Sequence, residues 1–419
     1  MGVEATVSTS TALSHIRICD FTGQLAGAGA TRFLASFGAQ VIRIEDPTNR
    51  GRWDILRGSP PFIHGERGNE AGAGFNNHNV EKLGITLNLK TDRGRELLTE
   101  LVKQCDVVSE NFASGVMKRL GFHYDDLVKI KPDIIYVSNC GFGHTGPYVD
   151  FKSWGPIVQA VSGLTMTSGL ADQPPAGWGY SYMDHTGGYY MAMGILGALV
   201  HKMNTGEGQW VDMSCTEAGA ALHGTAILDH SVNGRPMRRE GSPDSNRSSG
   251  PAMAPHGVYP ALGDDEWVAI ACRDDRDWAA LAGVVDAPWA NEDRFVYLVG
   301  RLAEQDALDA LVGEWTATLP RAQVAAALQA VGVPASTVAR QPERMDEDPN
   351  NAAWGLFPTA THTQLGEVRV DGNPVHLSET DWDISAGAPC LGEHNDQVYG
   401  EILGLSNTEI DELRAEGVI

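Results

Sequence analysis

Apolar positions along the chain fall into short runs separated by stretches with helical spacing. HIRICDF (15–21) has strand composition and leads into TGQLAGAGATRFLASFG, a glycine-rich turn followed by an apolar-periodic helix. AQVIRIE (39–45) reads as a second strand ending in Glu45, and KLGITLNLK (82–90) as a strand or extended arm. TDRGRELLTELVKQC (91–105) reads as a helix with Thr91 as N-cap and Leu97, Leu98, Leu101 and Val102 along it. VVSEN (107–111) and DIIYVSNCGFG (133–143) supply two more buried strands, separated by the helical stretch ASGVMKRLGFHYDDLVKIK. Strands alternating with helices from residue 15 to about 220 predict an α/β fold, a largely parallel Rossmann-like sheet covered on both faces. GGYYMAMGILGALV (187–200) is the most apolar stretch. It falls short of the ~20 residues a membrane span needs and reads as a buried core helix.

The pattern changes at SVNGRPMRREGSPDSNRSSGPAMAPH (231–256), a Gly, Pro, Ser and Arg run expected to be a linker or mobile loop. A smaller α+β domain is expected after it, with a hairpin in GVYPALGDDEWVAIAC (257–272) turning at Gly263-Asp264-Asp265. Helices follow through ALDALVGEWTATLPRAQVAAALQAVG, then strand character at LGEVRVDGNPVHL and a last acidic helix, NTEIDELRAEG. The expected division is a large domain over 1–230, a linker and small domain over 231–345, and a C-terminal segment, 346–419, returning to the large domain. No internal repeat or low-complexity tract stands out.

At 419 residues, with 42% hydrophobic and 20% charged positions, the chain has the material for two packed domains and is not a disordered one. The net charge of −23 would repel nucleic-acid backbones and anionic membrane surfaces, so neither is an expected partner. Cys19, Cys105, Cys140, Cys215, Cys272 and Cys390 are widely spaced, without a CxxC pair or a zinc-like Cys/His cluster. They read as thiols in a reducing compartment, and no metal site is expected. The acidic, Ser/Thr-rich start does not read as an export signal and is expected to be loosely held, which places the protein in the cytoplasm.

The turn Thr22–Gly29 opens a helix whose free N–H groups could receive an anion, and with Glu45 downstream it imitates a dinucleotide site without being GxGxxG. A tight strand-to-helix turn explains the same glycines. SYMDHTGGYYMAMG places Asp184 and His185 just before a helix whose first turn would hold Gly187 and Gly188. Asp184 is there either an N-cap or a carboxylate that a ligand can approach, with glycine N–H groups near to hold an oxyanion; the two roles are compatible. His78, His144 and His185 are possible general bases, though an isolated histidine is more often structural. Trp178, Tyr180, Tyr182, Tyr189 and Tyr190 crowd the same segment, as a pocket lining or as core. TGEGQWVDMS (205–214) looks like a hairpin or a helix-to-strand turn, and nothing in it suggests chemistry.

Taken together, eight collinear blocks resemble the class III CoA-transferase family. They are DFTGQLAGAGATRFLASFGAQVIRIEDP (20–47), NVEKLGITLNLKTDRGRELLTELVKQCDVVSENFASGVMKRLGF (79–122), SNCGFGHTGPY (138–148), YSYMDHTGGYYMAMGILGAL (180–199), TGEGQWVDMS, APHGVYPALGDDEWVAIAC, GVPASTV (332–338) and LGEHNDQVYGEILGLS (391–406). The resemblance implies a large Rossmann-like domain formed from both chain ends, a smaller domain between, and two subunits interlocked as rings. It implies a homodimer, or a heteromer with a related subunit, acting on acyl-CoA and carboxylic acid substrates with CoA thioester as substrate and no permanently bound cofactor. It places the catalytic nucleophile at Asp184, and CoA at Gln24, Leu25, Ala26, Lys82, Asn111, Phe112, Arg119 and Leu120. Oxyanion donors are then expected from Gly187 and Gly188 or from Gly141-Phe142-Gly143.

Two features depart from particular branches. Formyl-CoA transferase resemblance would place a glutamate near His144 and a glycine-rich lid where GSPDSNRSSGP (241–251) stands. The racemase branch pairs its aspartate with a histidine where this chain has Trp154-Gly155-Pro156. A CoA-transferase is therefore the leading expectation, and similarity to the benzylsuccinate-type branch makes succinyl-CoA the donor to expect. An α-methylacyl-CoA racemase-like enzyme, an NAD-dependent oxidoreductase and a non-catalytic CoA-binding subunit are the alternatives.

Overall fold

The computed structural model describes residues 12–419. The expected loose start and the reading of the N-terminus as lacking an export signal lie largely outside the described residues. By packing, the chain forms two compact units, one of residues up to 166, 177–234 and 350–419, the other of 167–176 and 235–349.

In the first unit, β1 (Arg17–Asp20), β2 (Gln40–Glu45), β3 (Lys82–Thr86), β4 (Val107–Glu110), β5 (Ile135–Cys140) and β6 (Trp210–Ser214) build one sheet. Its order is β3-β2-β1-β4-β5-β6, and every neighbouring pair is parallel. The strands are apolar on both faces because both faces are covered. Ile18, Val41, Val107, Ile135 and Val137 pack with Ala30 and Leu34 of α1 (Ala26–Ser36) and Met191 and Ile195 of α4 (Tyr182–Thr205). Cys19, Ile42, Val108 and Tyr136 pack with Leu97 and Leu101 of α2 (Asp92–Lys103) and with Tyr399 and Leu413 from the C-terminal segment. Each large apolar side chain so buried contributes about 1.5–3 kcal/mol. Thr91 caps α2 by accepting the Gly94 N–H at 3.0 Å. The C-terminal segment is tied to β3, where Asn395 Oδ1 accepts the Thr86 N–H and the Tyr399 hydroxyl donates to the Thr86 carbonyl.

TGEGQWVDMS is the helix-to-strand turn of its two readings, running from the end of α4 at Thr205 into β6, a parallel edge strand, and not a hairpin. One element differs from the sequence reading. The apolar helix around residues 187–200 is α4, and it is buried on one face only. Met191, Ile195, Ala198 and Leu199 are in the core, whereas Tyr189, Met193, Val200 and Met203 are exposed in the single chain. No helix among the described residues is long and apolar enough to cross a membrane.

The second unit is a small α+β body. Trp267–Ala271 pairs antiparallel with His256–Pro260 and with Ala335–Thr337, and the hairpin turn contains Gly263 and Asp265 at positive φ. Helices Asp275–Val285, Gln305–Thr316 and Arg321–Ala330 cover this sheet through Trp278, Leu281, Leu308, Val312 and Leu328.

Candidate active site

The strand order reverses between β1 and β4, so the loops leaving their carboxyl ends diverge and open a crevice, the usual ligand position in parallel sheets. The loop after β1 is held tightly. The Gly23 N–H donates to Asn111 Oδ1 at 2.9 Å and Asn111 Nδ2 donates back to the Gly23 carbonyl at 3.0 Å. Gln24, at φ 57°, donates its N–H to Asp54, whose carboxylate also takes Arg43 at 2.8 Å. The glycines are there for close approach: a Cβ on Gly23 would lie 2.1 Å from the Trp53 ring, and one on Gly27 2.7 Å from Asn111. Glu45 is largely buried and its carboxylate is ion-paired to Arg57 at 2.6 Å, so its charge is balanced within the protein.

A cavity of about 420 Å³ opens at this point. It is bordered by Gln24, Leu25 and Ala26 after β1, Asn111 and Phe112 after β4, Asn139, Cys140 and Gly141 at the end of β5, and Asp184 and Cys215. A second cavity of about 570 Å³ shares Gln24, Asn111 and Phe112 and continues past Trp53, Lys90 and Leu120. The sequence-derived residues Gln24, Leu25, Ala26, Asn111, Phe112, Leu120 and Asp184 are thus gathered around two adjoining spaces. Arg119 is exposed at the end of the short helix Val116–Leu120 and borders neither.

Asp184 stands in the first turn of α4, three residues after the N-cap Ser181, so the N-cap reading is corrected. Its carboxylate abuts Gly155, the first residue of α3 (Gly155–Val161): a Cβ there would sit 2.4 Å from Oδ2. Burial pushes the Asp184 carboxyl above its ordinary range, opposed by a hydrogen bond with Ser181. Cys215, at the start of α5 (Cys215–Ala221), is buried beside it and is raised to about 12 by burial and then by Asp184. Its thiol donates to Asn139 Oδ1 at 3.2 Å.

Three expectations are corrected here. Lys82 is not a phosphate ligand, because its ammonium is sealed inside the unit against Thr31 Oγ1 (2.8 Å), the Ala28 carbonyl (3.0 Å), Asn79 Oδ1 (3.0 Å) and Asp20 (3.4 Å). Gly187 and Gly188 are not oxyanion donors, since they lie beyond the first turn of α4, where N–H groups serve the helix ladder. They are glycines because a Cβ on Gly187 would meet Cys215 Sγ at 2.6 Å and one on Gly188 the Ala26 carbonyl at 2.8 Å. Trp178, Tyr180, Tyr182 and Tyr189 are exposed, Tyr190 packs against the core around Met183 and Cys215, and the aromatic residues bordering the cavity are Phe112, Phe151 and Trp154.

None of the three histidines borders the cavity. Burial drives His78 down to about 4, and its Nδ1 lies 2.8 Å from the Gly74 carbonyl. His185 stacks on Tyr180, whose hydroxyl is 2.8 Å from Nε2, and burial lowers its basicity. His144 lies between Asp212 and Glu110. Among the described residues no group of three or more His, Cys, Asp and Glu side chains could hold a metal ion. Residues that sequence reasoning missed are Gly155, Trp53, Lys90, Asn139, Cys140 and Cys215. Only Gly155 carried a local signal, the helix-opening Gly-Pro pair at 155–156.

The sequence profile of CoA-transferase family III matches residues 13–395. A formyl-CoA:oxalate CoA-transferase from Streptomyces avermitilis is 34% identical, over 97% of this chain and 99% of that one. The "Succinyl-CoA--D-citramalate CoA-transferase" of Chloroflexus aurantiacus is 30% identical over 97% and 98%. Among solved structures, a CAIB/BAIF family protein from Brucella suis superposes with a TM-score of 0.84 at 30% identity, covering 94% of this chain and 100% of that one.

Proposed function

Because the chain belongs to CoA-transferase family III and is an enzyme of that class, we propose that Asp184 is the nucleophile that carries CoA from an acyl-CoA donor to a carboxylic acid. The observation that carries this reading is a partly buried carboxylate, held against Gly155, on the wall of the cavity at the sheet's switch point. An Asp184 oxygen attacks the donor's thioester carbonyl, the C–S bond breaks, and CoA thiolate leaves an aspartyl–acyl anhydride. The thiolate attacks the aspartyl carbonyl and expels the donor acid, giving an aspartyl-CoA thioester. The acceptor carboxylate displaces CoA to form a second anhydride, and CoA thiolate then takes the acceptor acyl group and frees Asp184. The thioester is conserved, so the barrier lies in activating a weak nucleophile, which partial desolvation does.

Backbone N–H groups at Gly141, which borders the cavity, and at Gly155, against which the Asp184 carboxylate packs, replace Gly187 and Gly188 as oxyanion donors in this reading. The second cavity takes the nucleotide end of CoA, with Phe112 and Trp53 for the base and Lys90 in place of Lys82 for phosphate. The relatives named above act on oxalate and D-citramalate, which supports a short dicarboxylic acid as acceptor, and succinyl-CoA is the first donor to test. Two interlocked subunits belong to the same reading.

Asp184→Asn tests it. Transfer is expected to fall at least ~10³-fold while CoA affinity and thermal midpoint hold, since only the nucleophile is lost. With wild type, acyl-CoA and hydroxylamine, a hydroxamate is expected on the peptide spanning 181–190. A folded Asp184→Asn enzyme that keeps substantial transfer, with no adduct on that peptide, overturns the proposal.

A further inference from the structure

One buried polar cluster outside the nucleophile's surroundings reaches the cavity wall. Glu110 on β4 and Asp212 on β6 lie in one row of the sheet, each paired with Ser138 of β5. His144 bridges them over the end of β5. Its Nδ1 is 3.1 Å from Asp212 and its Nε2 is 3.6 Å from Glu110, while its backbone N–H donates to both Asp212 oxygens at 3.0 Å. Glu110 is 1% exposed. One of its oxygens accepts the Tyr136 hydroxyl at 2.7 Å, and the other accepts the N–H of Phe112 at 2.7 Å. A carboxylate without solvent of its own thus holds the segment Asn111–Ala113 that borders both cavities.

We propose that Glu110 is a positioning residue for acyl-CoA binding: ionised, it clamps the Phe112 backbone and the wall shared by the two cavities, and protonated, it lets that wall loosen. This rests on the reading that the two cavities take the acyl-CoA. A charged acceptor holds an N–H more strongly than a neutral carboxylic acid does, which gives the clamp its two states. The groups facing the clamp are Tyr136 on β5, His144 and Cys140 at the end of β5, Asp212 on β6, and His123, which packs its ring on Tyr136. Burial pushes the Glu110 carboxyl up to about 7, against the pull of Tyr136, His144 and the Phe112 N–H, with Asp212 adding to the rise. Burial also works to discharge His144, but Asp212, Cys140 and Glu110 outweigh it and raise the ring to about 10. Near neutrality, then, Glu110 changes charge while His144 stays an imidazolium.

The test is the pH dependence of KM for acyl-CoA, read beside kcat, from about pH 6 to about pH 8.5. KM is expected to rise as pH falls through about 7. His144→Gln and Tyr136→Phe each remove a group that favours the carboxylate, so each moves the midpoint upward, which ionisations of the substrate cannot do. Glu110→Gln abolishes the step and raises KM roughly tenfold at the alkaline end, the equivalent of one charged hydrogen bond. Thermal midpoints establish that each variant is folded; if Glu110→Gln is not, the other two decide. A flat wild-type profile, or midpoints unmoved in folded His144→Gln and Tyr136→Phe, overturns the inference while leaving the transferase reading intact. Failure of the wild type to transfer CoA through Asp184 overturns that reading instead, and the same titration of CoA affinity by calorimetry then decides the clamp.

Discussion

Gly155→Ala probes the nucleophile without altering it. The added Cβ would stand 2.4 Å from Asp184 Oδ2 and 3.0 Å from its Cγ, whereas ordinary contact begins at 3.4 Å, so the carboxylate must retreat by roughly 1 Å. A displacement of that size in a reacting group costs about 10²-fold, or ~2.7 kcal/mol of transition-state stabilisation. The fold has reason to tolerate the change. Gly155 opens α3 at negative φ, where alanine is a better helix former by up to ~1 kcal/mol, and this offsets part of an overpacking cost of about 1–3 kcal/mol. The expected outcome is a kcat lowered about 10²-fold, a thermal midpoint within a few degrees of wild type and CoA affinity within several-fold. Steady-state transfer assays, calorimetric unfolding and CoA titration read the three quantities. A kcat within threefold of wild type, in a protein whose midpoint has not moved, would refute the reasoning, because the carboxylate would then not need its present position.

Gly187→Ala presses a methyl group onto Cys215 Sγ and is expected to destabilise by about 1–3 kcal/mol; adding Cys215→Ala should restore most of that, and additive losses in chemical denaturation would contradict the contact. Lys82→Met leaves the Asp20 carboxylate buried without its cation and should cost about 3–5 kcal/mol with little change in CoA affinity, whereas weakened CoA binding at unchanged stability would return Lys82 to the ligand site. His144, raised in the folded protein from the ordinary 6.5 to about 10, binds more protons folded than unfolded between those values. Its contribution to stability is full below pH 6.5 and lost as pH rises through about 10, so urea titrations should show a decline over that window that is flatter in His144→Gln.

The alternation of strand-like runs with helical spacing, legible from residue 15 to about 220, is enough to dictate a parallel sheet with helices on both faces. In such a sheet successive side chains such as Val107 and Val108 must both find cover. Thr91 as a cap and the turn at 263–265 were likewise legible, because capping and tight turns are satisfied by residues within four positions of one another. The gathering of Gln24, Asn111, Phe112 and Asp184 was reached through resemblance to a family. No local rule relates a turn after one strand to loops after others 88 and more residues away.

What only the tertiary structure decided is which polar groups keep access to a ligand. Lys82 is a CoA position by resemblance, yet it became an internal partner of Asp20 because β3 carries it into the unit, whereas Glu45, at the end of β2, pairs with Arg57 and still borders the second cavity. Gly155, Gly187 and Gly188 look alike as permissive residues, yet each is required by a different neighbour: a carboxylate, a thiol and a backbone carbonyl. The row of Glu110, Ser138 and Asp212 likewise exists only once β4, β5 and β6 lie side by side in register. Periodicity fixes which face of an element is apolar; burial and partnership of a charged group depend on what long-range topology places against that face, and that is decided by the packed sheet.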